Sequence, residues 1–305
     1  MSKKTAGGML IRTAGAGALA YAGISGLLFR KFFRVTKNEK HEAYHSELYT
    51  VEDDQWFANC HREDLYAVSY DGLNLHAIVI ESHPESDQWM LILHGHNERA
   101  LDMKRWMHEA DKRGWNVLVP DARGHGLSSG RYTGLGWPEH YDAITWIDQI
   151  VRRNINSKIF VYGRDTGANA VVNLLGDHLP GNVKAAAADS ASSDLSDLIV
   201  YRTGKETCIH GNVFVRGIDF FVKRILHFSV YEGTTRRQLM KAQVPLLLNY
   251  GSEDITIPAG MQYDNYYACA SERNMHVYHG ADHNNLWMME TYFDDLFSFA
   301  YNYVK

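Results

Sequence analysis

The stretch Val161-Tyr162-Gly163-Arg164-Asp165-Thr166-Gly167-Ala168, VYGRDTGA, decides how the rest of the chain is read. Its D-T-G core admits two incompatible readings. It can be half of a site in which two carboxylates share one proton, which needs a second D-[ST]-G loop or a second subunit. Alternatively, with an apolar run before it and a helix-forming run after it, it is a sharp strand-to-helix turn, G-x-D-x-G. Such a turn lifts one side chain, Asp165, above the end of a sheet. No second D-[ST]-G occurs in the sequence, and the neighbouring segments decide for the turn.

Outward from this stretch, short apolar strands alternate with amphipathic helices. Strands are predicted at Trp89–Leu93, Val117–Pro120, Lys158–Tyr162, Val183–Asp189, Pro245–Tyr250 and Met275–Tyr278. Helices are predicted at Leu101–Arg113 (closed by Gly114), His140–Arg153, Gly167–Leu179, Gly260–Ser271 and Trp287–Val304. Continuous apolar strands between such helices indicate a parallel sheet covered on both faces. Upstream, Leu65–Tyr70 and Leu73–Glu81 flank Asp71-Gly72 and read as an antiparallel hairpin, while residues 41–64 show no clear period. The interval Ser190–Gln243 is long for a connection in such a fold. It carries the apolar run NVFVRGIDFFVKRILHFSV and is expected to be a helical lid over a ligand site or a plain pair of packing helices.

The chain has 305 residues, 45% hydrophobic and 22% charged, an ordinary globular balance. A net charge of −5 gives no basic footprint for nucleic acid. The three cysteines, Cys60, Cys208 and Cys269, are far apart and lack C-x-x-C spacing, so neither a disulfide framework nor a zinc site is expected. No H-E-x-x-H occurs among the sixteen histidines, and the single H-x-H, His94-Gly95-His96, is a weak metal signal. No metal or cofactor is expected.

In open α/β sheets, ligands bind outside the carboxyl ends of the strands. Those ends here carry His94-Gly95-His96-Asn97, then DARGHGLSSG (Asp121–Gly130), GRDTG (Gly163–Gly167), GSEDITIP (Gly251–Pro258) and HGADH (His279–His283). Singly, each loop is ordinary. Together they run elbow, acid, histidine, which is the chain order of a hydrolase triad. From about residue 60 onward the chain resembles the α/β-hydrolases, in particular the bacterial serine hydrolases related to esterases, acylglycerol lipases and proline aminopeptidases. LHGHNE resembles the oxyanion loop, DARGHGLSSG the D-x-R-G-H-G-x-S motif, GSEDITIP the acid loop and GADH the histidine loop. The resemblance implies an α/β-hydrolase fold, a mostly parallel doubly wound sheet with an N-terminal antiparallel hairpin and a helical lid at about 190–243. It implies Asp254 as the acid that orients His283, and the backbone N–H groups of His96 and Thr166 as the oxyanion hole. It also places Asp165 where the family carries the nucleophilic serine.

That replacement changes the chemistry. A serine hydroxyl attacks an acyl carbonyl as histidine takes its proton. A carboxylate needs no deprotonation but is a weak acyl nucleophile, because the anhydride it forms collapses back. Three outcomes stay open at this point. The chain can be an esterase-type hydrolase of weak activity, with Asp165, His283 and Asp254 in the triad positions. It can be an epoxide hydrolase or haloalkane dehalogenase, in which Asp165 attacks an sp³ carbon and His283 activates water. Asn97 in place of the expected proline, and Thr166 in place of tryptophan, count against that reading; Tyr201 and Tyr231 are candidate polarising groups. Or it can be catalytically silent, the carboxylate pairing with an imidazolium and accepting the oxyanion-hole bonds itself. Ser190, after the next strand, is a conceivable substitute nucleophile without elbow geometry. The expected substrate is a small molecule with an apolar acyl or alkyl group, by the composition of the lid.

At the N-terminus, Thr13–Phe29 is a run of seventeen residues without a charge, between Lys3-Lys4 and the cluster Arg30, Lys31, Arg34, Lys37 and Lys40. Residues 1–40 are therefore expected to be a hydrophobic anchor that attaches residues 41–305, the hydrolase domain, to a membrane, with the side unresolved. A cleaved signal ending near Ala18-Leu19-Ala20, and hence secretion, is the alternative.

Overall fold

The computed structural model describes residues 3–36, 48–207 and 209–304, with side chains from residue 16 onward. Lys37, Lys40 and Cys208 lie outside the described residues. Two compact units emerge: Val35–Asp194 with Gly233–Lys305, and Met1–Arg34 with Leu195–Glu232.

The larger unit is built on an eight-stranded sheet. Its strands are β1 (Glu63–Val68), β2 (Asn74–Ile80), β3 (Gln88–Leu93), β4 (Asn116–Asp121), β5 (Lys158–Arg164), β6 (Val183–Asp189), β7 (Leu246–Gly251) and β8 (Arg273–Tyr278), in the order β1-β2-β4-β3-β5-β6-β7-β8. The predicted hairpin is present as the antiparallel pair β1–β2, and β2 also runs antiparallel to β4. From β4 to β8 every pairing is parallel. Alternation along each strand divides the core in two. Met90 and Ile92 of β3 face one side, with Trp106, Trp115 and Phe160, while Trp89, Leu91 and Leu93 face the other, with Trp146, Ile147 and Val171. Both faces are covered by apolar side chains, so the strands read as apolar runs rather than as half-polar ones.

Helix α1 (Lys3–Phe33) belongs to the second unit, with two later helices at Leu195–Thr207 and Asn212–Leu226. In the sheet unit, α2 (Val51–Asn59) and α3 (Lys104–Asp111) supply Phe57 and Trp106 to one face. On the opposite face lie α4 (Trp137–Arg153) and α5 (Thr166–Leu174). The predicted helix at 101–113 is split, its first turn being a 3₁₀ turn at Ala100–Met103, and Gly114 closes it at φ 79°. The expected C-terminal helix is likewise divided, into a 3₁₀ turn at Leu286–Met288 and a helix at Tyr292–Tyr301.

The N-terminal segment corrects an expectation. Among the described residues no helix is long and apolar enough to cross a membrane. The anchor, the membrane attachment and the membrane-anchored location expected for residues 1–40 are therefore withdrawn. The physical reason lies in the composition of α1. Its charge-free run would rise about 26 Å, short of a hydrocarbon core of about 30 Å, and it is rich in Gly and Ala. Ala18-Leu19-Ala20 lies inside the helix. The aromatic residues of α1 have partners on a helix almost two hundred residues away. With α6 (Leu195–Thr207) and α7 (Asn212–Leu226) introduced, Tyr21 of α1 stacks on Phe214 of α7 at 5.7 Å and Phe29 on Phe221 at 5.9 Å. Lys31 pairs with Glu206 of α6. The long insertion thus supplies a helix pair that packs with α1 as a unit of its own. Tyr201 lies on α6 and Tyr231 just beyond α7, within that unit.

Candidate active site

GRDTG is a turn of unusual tightness. Asp165 sits between β5 and α5 at φ 49°, ψ −114°, a conformation that L-residues rarely adopt. The flanking glycines make the turn possible. A Cβ on Gly163 would stand 2.3 Å from the carbonyl oxygen of Gly167, and one on Gly167 would stand 2.2 Å from that of Leu93. Any side chain at either position would push the elbow apart. Asp165 N–H donates to Asp189 O at 3.0 Å, and Asn169 N–H donates to Asp165 O at 3.0 Å, so strand end and helix start are both pinned.

Three loops converge on the raised carboxylate. From the β3 loop, His96 N–H donates to Asp165 Oδ2 at 2.8 Å. From the loop after β8, His283 Nε2 stands 3.4 Å from Asp165 Oδ1, an ion-pair distance that is long for a hydrogen bond. His283 Nδ1–H donates to Asp254 Oδ2 at 2.8 Å, and Asp254 Oδ1 accepts the N–H groups of Thr256 and Ile257 at 2.8 and 2.9 Å. Thr166 is the first residue of α5, where a backbone N–H has no partner within the helix. Asp165, His283, Asp254, His96 and Thr166, singled out from separate loops of the sequence, thus meet at one end of the sheet. Ser190 is buried at the end of β6 with φ 56°, and its N–H donates to Asn249 O at 2.8 Å. It stands on the acid's side, where its hydroxyl is one of the groups that lower Asp254.

The charges of the site follow from this packing. Burial of His283 opposes its cation, but the carboxylates of Asp165 and Asp254 outweigh that penalty and push it up to about 9. At neutral pH the imidazole is a cation between two anions. Burial would raise Asp254, yet His283 and the donors around the acid hold it below the ordinary carboxylate range.

Sequence reasoning missed the layer beneath the elbow. Arg164, buried next to Asp165, pairs through Nη1 with Glu98 Oε1 at 2.9 Å and stacks its guanidinium over Trp106. Asp189 is wholly buried and accepts from Tyr162 OH at 2.7 Å, Asn249 Nδ2 at 2.9 Å and Tyr292 OH. The one available signal was charge inside the apolar β5 and β6 runs, since charged residues are almost never fully buried unless paired. Among the described residues no group of histidine, cysteine or acidic side chains could hold a metal ion.

Comparison with known proteins agrees with this architecture. The family model described as serine aminopeptidase, S33, matches residues 84–203, which take in the β3 loop, the Asp121–Gly130 loop and the elbow. An uncharacterised Bacillus subtilis (strain 168) protein, YqkD, is 26% identical over 171 residues, 55% of this chain and 56% of YqkD. The chain therefore spans about half the length of that curated relative. Among solved structures, the Pyrococcus furiosus esterase Pf2001 superposes with a TM-score of 0.65 at 20% identity, over 89% of this chain and 99% of the esterase. An acetyl xylan esterase from Paenibacillus sp. R4 gives 0.58 at 16% identity, over 91% and 99%. At such identities the likeness is one of fold. With the sheet order, the elbow and the three converging loops, it shows that the chain has the α/β-hydrolase fold.

Proposed function

We propose that this chain is a hydrolase of the esterase type, acting on a small molecule with an apolar acyl or alkyl group, in which Asp165 makes ester cleavage weak. The observation that carries the reading is the hydrogen bond from His96 N–H to Asp165 Oδ2 at 2.8 Å. In an ester hydrolase that N–H would serve the anion that develops on the substrate carbonyl. Here a permanent anion takes it. The paired His283, held as a cation, has no free nitrogen with which to accept a nucleophile's proton. The similar solved structures include two named as esterases, which supports an ester bond as the ancestral target.

The test is a paired assay with p-nitrophenyl butyrate. The natural chain is expected to show little turnover. Asp165→Ser, which frees the hole and supplies a hydroxyl, is expected to raise kcat by about 100-fold or more, the scale of one oxyanion-hole donor. Ordinary esterase rates in the natural chain would refute the reading.

The same geometry favours a second reading. Asp165 Oδ2 is held while Oδ1 faces the His283 side, which suits in-line attack of a carboxylate on an sp³ carbon. His283→Gln, incubated with small epoxides and haloalkanes, should then retain an alkyl adduct on Asp165 visible by intact mass. No adduct across the panel removes this reading.

A further inference from the structure

Two loops flank the site without contributing a triad residue, and both carry histidines. One is His94–Glu98, after β3, and the other is Ala122–Gly130, after β4. His94 and His125 are each 2% exposed, and their rings meet edge to face at 5.1 Å. Their hydrogen bonds are reciprocal. His94 Nδ1 bonds to Gly95 O of its own loop at 2.8 Å, while its Nε2 accepts Ala122 N–H of the other loop at 2.9 Å. His125 Nδ1 bonds to Arg123 O of its own loop at 3.0 Å, while its Nε2 accepts Asn97 N–H of the other loop at 3.1 Å.

The partners dictate the protonation state. A carbonyl oxygen only accepts, so each Nδ1 must carry hydrogen. A backbone N–H only donates, so each Nε2 must be bare. Both rings are therefore placed as Nδ1–H tautomers. Burial, with His94 and His96 as neighbours, pushes His125 well below the ordinary histidine range.

Between the two gripped points lies His96, whose N–H reaches Asp165. The next residue, Asn97, stands at φ 60°, in the left-handed region that asparagine adopts more readily than most residues. A third strut ties the loop to the elbow itself. Glu98 Oε2 accepts Gly95 N–H at 2.7 Å, and Glu98 Oε1 takes the guanidinium of Arg164, the residue before Asp165, at 2.9 Å.

We propose that His94, His125 and Glu98 are positioning residues that fix the His96 N–H against the side chain at position 165, as a reciprocal histidine brace with an Arg164–Glu98 strut. The catalytic meaning of that N–H rests on the function proposed above, but the brace itself can be measured without activity.

The experiment compares His125→Phe, which keeps a ring but loses the acceptor, with His125→Gln, which keeps an acceptor oxygen. In the natural chain, amide hydrogen exchange at His96 and Asn97 is followed by NMR. In the Asp165→Ser background, kcat and KM for p-nitrophenyl butyrate are measured. His125→Phe is expected to speed exchange of both amides by about tenfold or more and to lower kcat by about tenfold or more with KM nearly unchanged. His125→Gln should recover part of both effects, which a residue that merely fills space would not do. Unchanged exchange at both amides in folded His125→Phe overturns the brace. Where that variant does not fold, His94→Gln takes its place, with faster exchange at the same amides expected and unchanged exchange overturning the proposal. If Asp165→Ser is inactive, the esterase reading falls, and the exchange data still decide the brace.

Discussion

Replacing Asp165 by Asn removes one of the two charges that hold His283 protonated while keeping the shape of the site. Asp165 Oδ1 stands 3.4 Å from His283 Nε2. At an effective dielectric constant of about 20, a unit-charge pair at that distance is worth about 5 kcal/mol, or about 3.6 pKa units. The side chains are 11% and 13% exposed, so solvent screens part of this, and we expect a fall of about 2 units. His283, pushed up to about 9 in the natural chain, should then titrate near 7, with Asp254 still in place. The assay is the pH dependence of the His283 ring resonances, with Asp254→Asn as the complementary variant. The stability profile offers a second readout. A histidine raised from 6.5 to about 9 on folding stabilises the fold fully below pH 6.5, and that contribution fades as the pH climbs to 9. The span corresponds to about 3.4 kcal/mol, and most of its alkaline slope should vanish in Asp165→Asn. A His283 that still titrates within about half a unit of 9 in this variant would refute the reasoning, because Asp254 alone would then set the charge.

Three further outcomes can be checked. In the Asp165→Ser background, Asp254→Asn should lower kcat by about 10³-fold or more, because the imidazole loses the acceptor that fixes its tautomer; steady-state ester hydrolysis measures it. His140, fully buried and lowered by that burial to about 4, resists protonation that the unfolded chain accepts at 6.5. Stability should thus fall by about 3 kcal/mol as the pH drops through that window, and His140→Phe, in a slot between Trp137 and Tyr141, should flatten the slope in urea titrations at pH 7 and 4.5. Gly163→Ala places its Cβ 2.3 Å from the Gly167 carbonyl oxygen and should destabilise the fold by about 3 kcal/mol or leave none, as thermal unfolding would report.

The elements nearest the site were the most legible in the sequence, and the reason is local. Each strand end carries glycine, histidine or aspartate in an order that only a parallel sheet brings together, so the loops around Asp165, Asp254 and His283 could be read one at a time. What was lost depends on distant partners. The run at Thr13–Phe29 has the composition of a marginal anchor, and only the structure supplies Phe214 and Phe221 as its apolar surroundings. Helix α2 has Trp56 and Phe57 but no repeating stripe. Its one signal was the capping box from Thr50 to Asp53, which the structure shows closed at both ends. The Arg164–Glu98 pair joins residues from loops sixty-six positions apart, and no spacing announces it.

These parts explain why a carboxylate at the elbow is tolerated, and what it costs under the proposed reading. A hole made of N–H donors accelerates a reaction only to the extent that it binds the developing anion more tightly than the ground state. Asp165 accepts the His96 N–H in the ground state, so little differential binding is left for an ester carbonyl. The cationic His283 compounds this: the two anions that stabilise its charge also deny it the role of base. Attack at an sp³ carbon differs on both counts. It consumes the charge of the carboxylate, turning Asp165 into a neutral ester as halide leaves with the bonding pair or the epoxide C–O bond opens to an oxygen that is then protonated, and with that anion gone His283 loses one of the two groups that kept it protonated. Under the second reading proposed above, a carboxylate at the elbow would then leave a base free to activate water only after the first step. A pH–rate profile for hydrolysis of the alkyl ester formed in the natural chain, where His283 is present, should therefore rise through a pKa well below 9, whereas the free protein keeps His283 near that value.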